Sequence, residues 1–138
     1  MKTRDIRRHY YNNYLKKAEE CYHAAIRSIE NREWNAAAIT AIHACISACD
    51  ALCVYYLGKR SADENHNQSV KLLKQIKNID AVNINANRLS RILSLKNVAE
   101  YEEGLITQKN AENILKDCER FISFVKKALI SDLKHLIF

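Results

Sequence analysis

The scarcity of residues that break helices most constrains what this chain can fold into. Its 138 residues contain no proline and only two glycines, Gly58 and Gly104. A β-protein needs many turns, and turns draw heavily on glycine and proline. The composition therefore predicts an all-α fold, which we expect to be an antiparallel up-and-down bundle of four to five helices. The length fits a single domain over 1–138 with a core of its own.

Apolar residues recur at helical spacing through most of the chain, and this pattern predicts where the helices lie. Gly58 is expected to end the second helix, Gly104 to close the fourth, and Thr107 to cap the fifth. The first helix is expected to start at Arg4 or Arg8. The expected helices cover about 4 or 8 to 30, 33–57, 68–77, 85–103 and from 107 onwards.

The first seventeen residues hold nearly all of the chain's net charge of +6, because six basic residues there face one acid. Tyrosines and a histidine are interleaved with these cations, a composition suited to phosphate contact and base stacking. The alternative is a solvated helical turn whose tyrosines pack inward. The cations that we expect to contact nucleic acid in this arm are Arg4, Arg7 and Arg8.

A row of polar side chains interrupts the most apolar segment, AAAITAIHACISACDALCVYY, at spacings of three and four residues. These residues share one face of the second helix. That face either meets water or forms a polar seam between helices, where a buried Asp50 needs a cationic or hydrogen-bonding partner. The row consists of Thr40, His43, Ser47 and Asp50. The predicted partners of Asp50 are Arg88, Arg91 and Lys96.

Several classes of function receive no support from the sequence. The five cysteines form no CxxC pair, and three of them stack on one helix flank at 45, 49 and 53, so we expect packing residues rather than metal ligands. No phosphate loop or paired-glycine dinucleotide turn is present, and no cofactor is expected. The start lacks the apolar core of a signal peptide, which predicts a cytoplasmic protein without a membrane partner.

Two further segments bear on function. His66 lies in ADENHNQSVKLL at the entrance to the third helix, where a structural hydrogen bond across the loop is expected. The stretch KNVAEYEEGL, from Lys96 to Leu105, gathers a lysine, an amide, a tyrosine and three glutamates near the end of the fourth helix.

These segments together resemble the HEPN family (higher eukaryotes and prokaryotes nucleotide-binding domain). The resemblance includes the opening YLKKAEECYHAAIRSIENREWNAAAITAIHACISACDAL and covers nearly the whole chain. Ribonucleases of that family carry arginine, a polar residue that is often asparagine, three variable residues and histidine. The matching positions here hold Lys96, Asn97 and Tyr101, so the asparagine is kept while both ends of the motif have changed.

The two changes weaken the chemistry that the resemblance implies. Tyrosine has a reference pKa of about 10 and is a poor base at neutral pH, and lysine lacks the bidentate fork of arginine. On a continuous helix, Lys96 and Tyr101 would diverge by about 140°. Since family members usually join their motif helices across a dimer, the resemblance implies a homodimer with a composite groove. We expect Arg88 and Arg91 to contribute to it.

The sequence thus favours a HEPN-like domain that binds RNA or a nucleotide as a dimer, with a degenerate catalytic motif. The resemblance also implies a place in a toxin–antitoxin or defence system, with an antitoxin-like protein as partner. One alternative is an active, metal-independent ribonuclease whose base is His66 or His43. The other is a non-catalytic protein–protein interaction bundle.

Overall fold

The computed structural model of the chain describes residues 1–63 and 67–137 and shows the predicted all-α helical bundle. A small two-stranded sheet and one 3-10 turn, Arg8–Tyr10, accompany the helices. The strands are β1 (Thr3–Asp5) and β2 (Lys59–Ser61). The helices are α1 (Tyr11–Glu30), α2 (Trp34–Leu57), α3 (Asn67–Lys74), α4 (Val82–Leu93), α5 (Lys96–Glu100) and α6 (Gln108–Ile137).

Helix α2 is the centre of the bundle, packed mainly against α1 and α6. Alanine and cysteine supply most of its buried positions, and such small side chains let neighbouring helices approach closely. By length and composition alone α2 could also cross a membrane. However, 72% of its apolar stretch is buried within the bundle, as in the core helix of a soluble protein.

The cysteines fill this core. All five are free, and four of them, including Cys45 and Cys118, are buried. The Cys118 thiol donates to the Ala41 carbonyl at 3.3 Å. Among the residues that the structure describes, no three histidine, cysteine or acidic side chains are grouped so that they could hold a metal ion.

Two predicted helix ends are confirmed by their geometry. Gly58 follows α2 in the left-handed conformation, with φ of 69°, and its N–H donates to the Val54 carbonyl at 3.0 Å. Thr107 precedes α6, and its Oγ1 accepts a hydrogen bond from the Asn110 N–H at 3.1 Å.

The N-terminal arm does not extend α1. Residues 3–5 instead pair with β2 in an antiparallel ribbon, in the register Thr3↔Ser61, Arg4↔Arg60 and Asp5↔Lys59. The predicted start at Arg4 was therefore wrong, whereas helical turns do begin at Arg8, where the 3-10 turn leads directly into α1 at Tyr11. Strands of three residues carry no periodic pattern, and their pairing joins segments far apart in the chain.

The predicted fourth helix is two helices, so its continuity was wrongly predicted. Residues 94 and 95 form a turn between α4 and α5. The Ser94 hydroxyl donates to the Arg91 carbonyl at 2.6 Å, a local bond of the kind by which serine competes with helix continuation. The motif residues consequently lie on a short helix of their own. Helix α5 packs against α2.

Candidate nucleic-acid-binding site

The packing of α5 on α2 brings together four polar side chains, which we call the α5 cluster: His43, Lys96, Glu100 and Tyr101. The carboxylate of Glu100 is its centre. Lys96 Nζ lies 2.9 Å from Glu100 Oε2, and the two side chains are only 12% and 11% exposed. His43 Nε2 lies 2.8 Å from Glu100 Oε1. The sequence-predicted motif is thus joined to one member of the predicted polar seam.

The His43 contact is close in distance but is not aligned as a hydrogen bond. Glu100 Oε1 is a buried oxygen that receives no hydrogen bond from the described residues, although the imidazole nitrogen is at ion-pair distance. Since the His43 side chain is 49% exposed, its ring can turn without disturbing the core. Glu100 can therefore hold His43 by charge when the imidazole is protonated, and by a hydrogen bond after a small rotation.

The ionisation of Glu100 reflects these neighbours. Burial alone would raise the pKa of this carboxyl, but hydrogen bonds from Lys96 and Tyr101 and the charges of Lys96 and His43 outweigh it, so the pKa lies below its ordinary value. Glu100 is therefore a carboxylate at neutral pH. It neutralises Lys96, whose charge is not free for a phosphate.

The expected divergence of Lys96 and Tyr101 is not observed. Lys96 Nζ lies 5.1 Å from the centre of the Tyr101 ring. Helix α5 ends at Glu100, and Tyr101 has left the helical conformation, with φ of −125°, so helical spacing does not apply to it. One copy of the chain therefore brings the two motif ends together. Asn97 is exposed on the same helix.

Arg88 and Arg91 lie on α4 and turn to α6 instead of the motif. Arg88 Nε and an Arg91 terminal nitrogen lie 3.7 and 3.5 Å from Asp117 Oδ1. Arg88 also donates to Asn85 Oδ1 at 2.6 Å. These two cations are thus paired within the bundle, and the structure does not bring them to the α5 cluster.

The predicted partners of Asp50 were wrong. The charges that act on Asp50 are those of Arg60 on β2 and Lys17 on α1, because the strand that follows α2 folds back beside it. Burial raises the pKa of Asp50 to about 7, and the two cations oppose that rise. The seam therefore divides, with His43 in the α5 cluster and Asp50 near the ribbon. Ser47 lies half-buried between them on α2.

His66, which was predicted to form a hydrogen bond across the loop before the third helix, falls outside the described residues.

The arm presents its cations in two ways. Arg8 is docked, with a guanidinium nitrogen 3.3 Å from Asp132 Oδ2 and its central carbon 4.0 Å from the Tyr55 ring centre. Arg4 and Arg7 are exposed, and no acid pairs with either of them in the described part of the chain. Arg4 lies directly opposite Arg60 across the ribbon. We call Arg4, Arg7 and Arg60 the ribbon cations.

Two residues of the site, Glu100 and Arg60, were not among the site residues predicted from the sequence. Glu100 stands four positions after Lys96, and this spacing typical of a helical ion pair was a usable signal. Arg60 had no such signal, because its place opposite Arg4 depends on strand pairing.

The helical bundle and its site define a small all-α domain in which α5 presents a polar cluster beside the core helix. The chain belongs to the HEPN domain family, whose model matches residues 11–128. It is thus a helical domain of the nucleotide-binding and ribonuclease type. No curated protein matches the chain.

Proposed function

We propose that this HEPN domain forms a homodimer and binds RNA through the ribbon cations without cleaving it. The observation that carries the proposal is the Arg4–Arg60 pair. Like charges placed directly opposite on a ribbon destabilise it, and no acid among the described residues pairs with Arg4. A phosphate bound between the two guanidinium groups would remove that repulsion.

The state of the α5 cluster supports binding rather than catalysis. Lys96 is held by Glu100, and Tyr101 replaces the histidine of the family's ribonuclease motif. Neither an ammonium group nor a phenol is a good general base, and the Lys96 charge that would stabilise a crowded phosphorane is already paired with Glu100. The exposed Asn97 amide and the Tyr101 ring remain able to hydrogen-bond and to stack on a base.

An apolar surface beside this cluster supports the dimer. Tyr101 is 73% exposed and Leu105 is 79% exposed on the connection between α5 and α6. Large apolar side chains that share one exposed segment are typical of a protein contact. A second copy covering them would place two α5 clusters near each other. Light scattering measures the molecular mass of the unchanged protein, which we call the parent, and of the variant Leu105→Glu. We expect the mass of a dimer only for the parent.

The RNA test uses charge reversal. Binding of a fluorescent single-stranded RNA is measured by anisotropy at several salt concentrations for the parent and for Arg4→Glu/Arg7→Glu. We expect weaker binding, and a salt slope that is smaller by about 1.4 for two lost phosphate contacts. Lys109→Glu/Lys116→Glu is the control, since it makes the same change of charge on exposed positions of α6, at least roughly 24 Å along that helix from Asp132, which docks Arg8. Equal losses in the two variants would contradict the proposal.

RNA cleavage is a second candidate function, favoured by one distance. A carboxylate 2.8 Å from His43 Nε2 can orient the imidazole, as in other histidine–carboxylate pairs. His43 would take the proton of a 2′-hydroxyl as that oxygen attacks the phosphorus to form a 2′,3′-cyclic phosphate, and the leaving 5′-oxygen would take a proton from water to become a hydroxyl. Cleavage that is lost in His43→Gln and kept in Tyr101→Phe would establish this function.

Membership in the family also suggests a setting. We propose that the domain acts in the cytoplasm in a toxin–antitoxin or defence system, where an acidic, antitoxin-like protein covers the ribbon cations. If the domain binds no RNA at low salt but binds such a protein, it is an interaction bundle instead.

A further inference from the structure

A second concave surface lies away from the α5 cluster. It is a cleft of about 820 Å³ between α6 and the connection from α3 to α4, and Tyr56 of α2 also lines it. This volume lies in the range of about 300–1,000 Å³ that is typical of small-ligand sites. The cleft shares no residue with the α5 cluster or the ribbon cations.

Helix α6 gives the cleft a wall that combines positive charge with apolar and hydroxyl groups. Arg120, Ser123, Phe124 and Lys127 lie on one face of the helix, at spacings of three, four and seven residues. The two cations are about 10.5 Å apart along the axis. Within the described residues neither one forms an ion pair, so both charges are available to a ligand.

The acids of the cleft do not neutralise this wall. Asp132 is already occupied, because its Oδ2 accepts a 2.5 Å hydrogen bond from the Tyr55 hydroxyl and lies 3.3 Å from Arg8. Asp80 is exposed on the opposite wall. Beside it Ala81 has a positive φ of 64°, a strained conformation for alanine. Strained residues of this kind concentrate at functional sites.

The apolar part of the cleft is fixed in place. Phe124 and Tyr56 both pack partly against the core, and the Tyr56 hydroxyl donates to the Ala128 carbonyl at 3.0 Å. A flat apolar group would therefore meet a preformed aromatic surface, while its charged end meets α6. We propose that this cleft binds a small aromatic anion, with Arg120 or Lys127 on the anionic group and Phe124 on the ring.

Binding of 1-naphthyl phosphate, measured by calorimetry, tests the proposal. It should bind at least about tenfold more tightly than inorganic phosphate or 1-naphthol, since each of these has only half of the required chemistry. Arg120→Gln/Lys127→Gln should weaken binding by about tenfold or more, the loss expected for a charged hydrogen bond. Lys126→Gln is the matched control, because Lys126 neighbours Lys127 but pairs with Glu19 on α1 at 2.9 Å.

Chemical-shift mapping of the parent protein provides a readout that does not depend on the variants folding. Added naphthyl phosphate should shift the amide signals of 78–81 and 123–131. Shifts elsewhere, absence of saturable binding, or equal losses in the Lys126 variant would overturn the proposal. The Arg4→Glu/Arg7→Glu protein should keep this binding even if it loses RNA, so the cleft and the RNA proposal can fail separately.

Discussion

Lys96 and Glu100 face each other across one turn of α5, with 2.9 Å between Nζ and Oε2 and with both side chains nearly buried. Lys96 is the residue predicted to match the arginine of the family's ribonuclease motif. The lysine charge is neutralised within the protein, and the same carboxylate has its other oxygen 2.8 Å from His43 Nε2 on α2. Glu100 thus lies between Lys96 of α5 and His43 of the core helix.

Replacing the central carboxylate should loosen the contact between α5 and the core helix. In Glu100→Gln, the nearly buried Lys96 and the neighbouring His43 lose their negative partner, and we expect the free energy of unfolding to fall by about 1–3 kcal/mol. Urea unfolding measures it. Glu102→Gln is the matched control, since Glu102 is exposed two residues further on and should stay within about 0.5 kcal/mol of the parent. A similar change in both would show that the cluster does not fasten α5.

The raised pKa of the half-buried Asp50 predicts that the stability of the protein depends on pH. The pKa of Asp50 is raised from 3.8 to about 7, so the folded state holds a proton that the unfolded state has released. Stability from this group therefore falls as pH rises between those two values. We expect Asp50→Asn to be more stable than the parent at pH 8, on the order of 1–3 kcal/mol, and to keep less than about half of that advantage at pH 5, where the unfolded state has already released its proton.

Unfolding at the two pH values, with Glu103→Gln as an exposed control, measures this effect. If Asp50→Asn were less stable at pH 8 than at pH 5 relative to the parent, Asp50 would be an ion-pair carboxylate stabilised by Arg60 and Lys17.

Two residues in the left-handed conformation give a pair of opposite predictions. Gly58 has φ of 69° with nothing within 4 Å of an added Cβ, so Gly58→Ala changes only backbone strain and should cost about 1 kcal/mol. Ala81 has φ of 64°, and Ala81→Gly should stabilise the protein by up to about 1 kcal/mol. Thermal unfolding of the two variants should shift in opposite directions, and a shift of the same sign would contradict the assigned conformations.

Helical periodicity made most of the fold predictable. The apolar spacing placed α1, α2 and α6 well, because each of them buries a long continuous surface. It did not show the turn at Ser94 and Leu95, since the apolar pattern continues across it. Nor could it show the β1–β2 ribbon, in which three residues meet three others that lie far along the chain.

The site was predicted in its parts but not in its arrangement. Lys96, Asn97, Tyr101 and His43 were identified from the sequence, and the structure joins three of them through Glu100. The partners of Asp50 were misassigned because the return of β2 beside α2 brings Arg60 closer than α4 brings its arginines. Ion pairs between distant segments depend on tertiary packing, and no local pattern in the sequence shows which distant segments will meet.

We expect the domain to retain RNA without cutting it. One sample tests this most directly: end-labelled single-stranded RNA is mixed with the parent protein at low salt, and one half is run on a native gel and the other on a denaturing gel. We predict a shifted band that disappears as salt is raised, together with RNA of full length. Absence of a shifted band at low salt would contradict RNA binding. RNA that the parent protein cuts and His43→Gln leaves intact would contradict binding without cleavage.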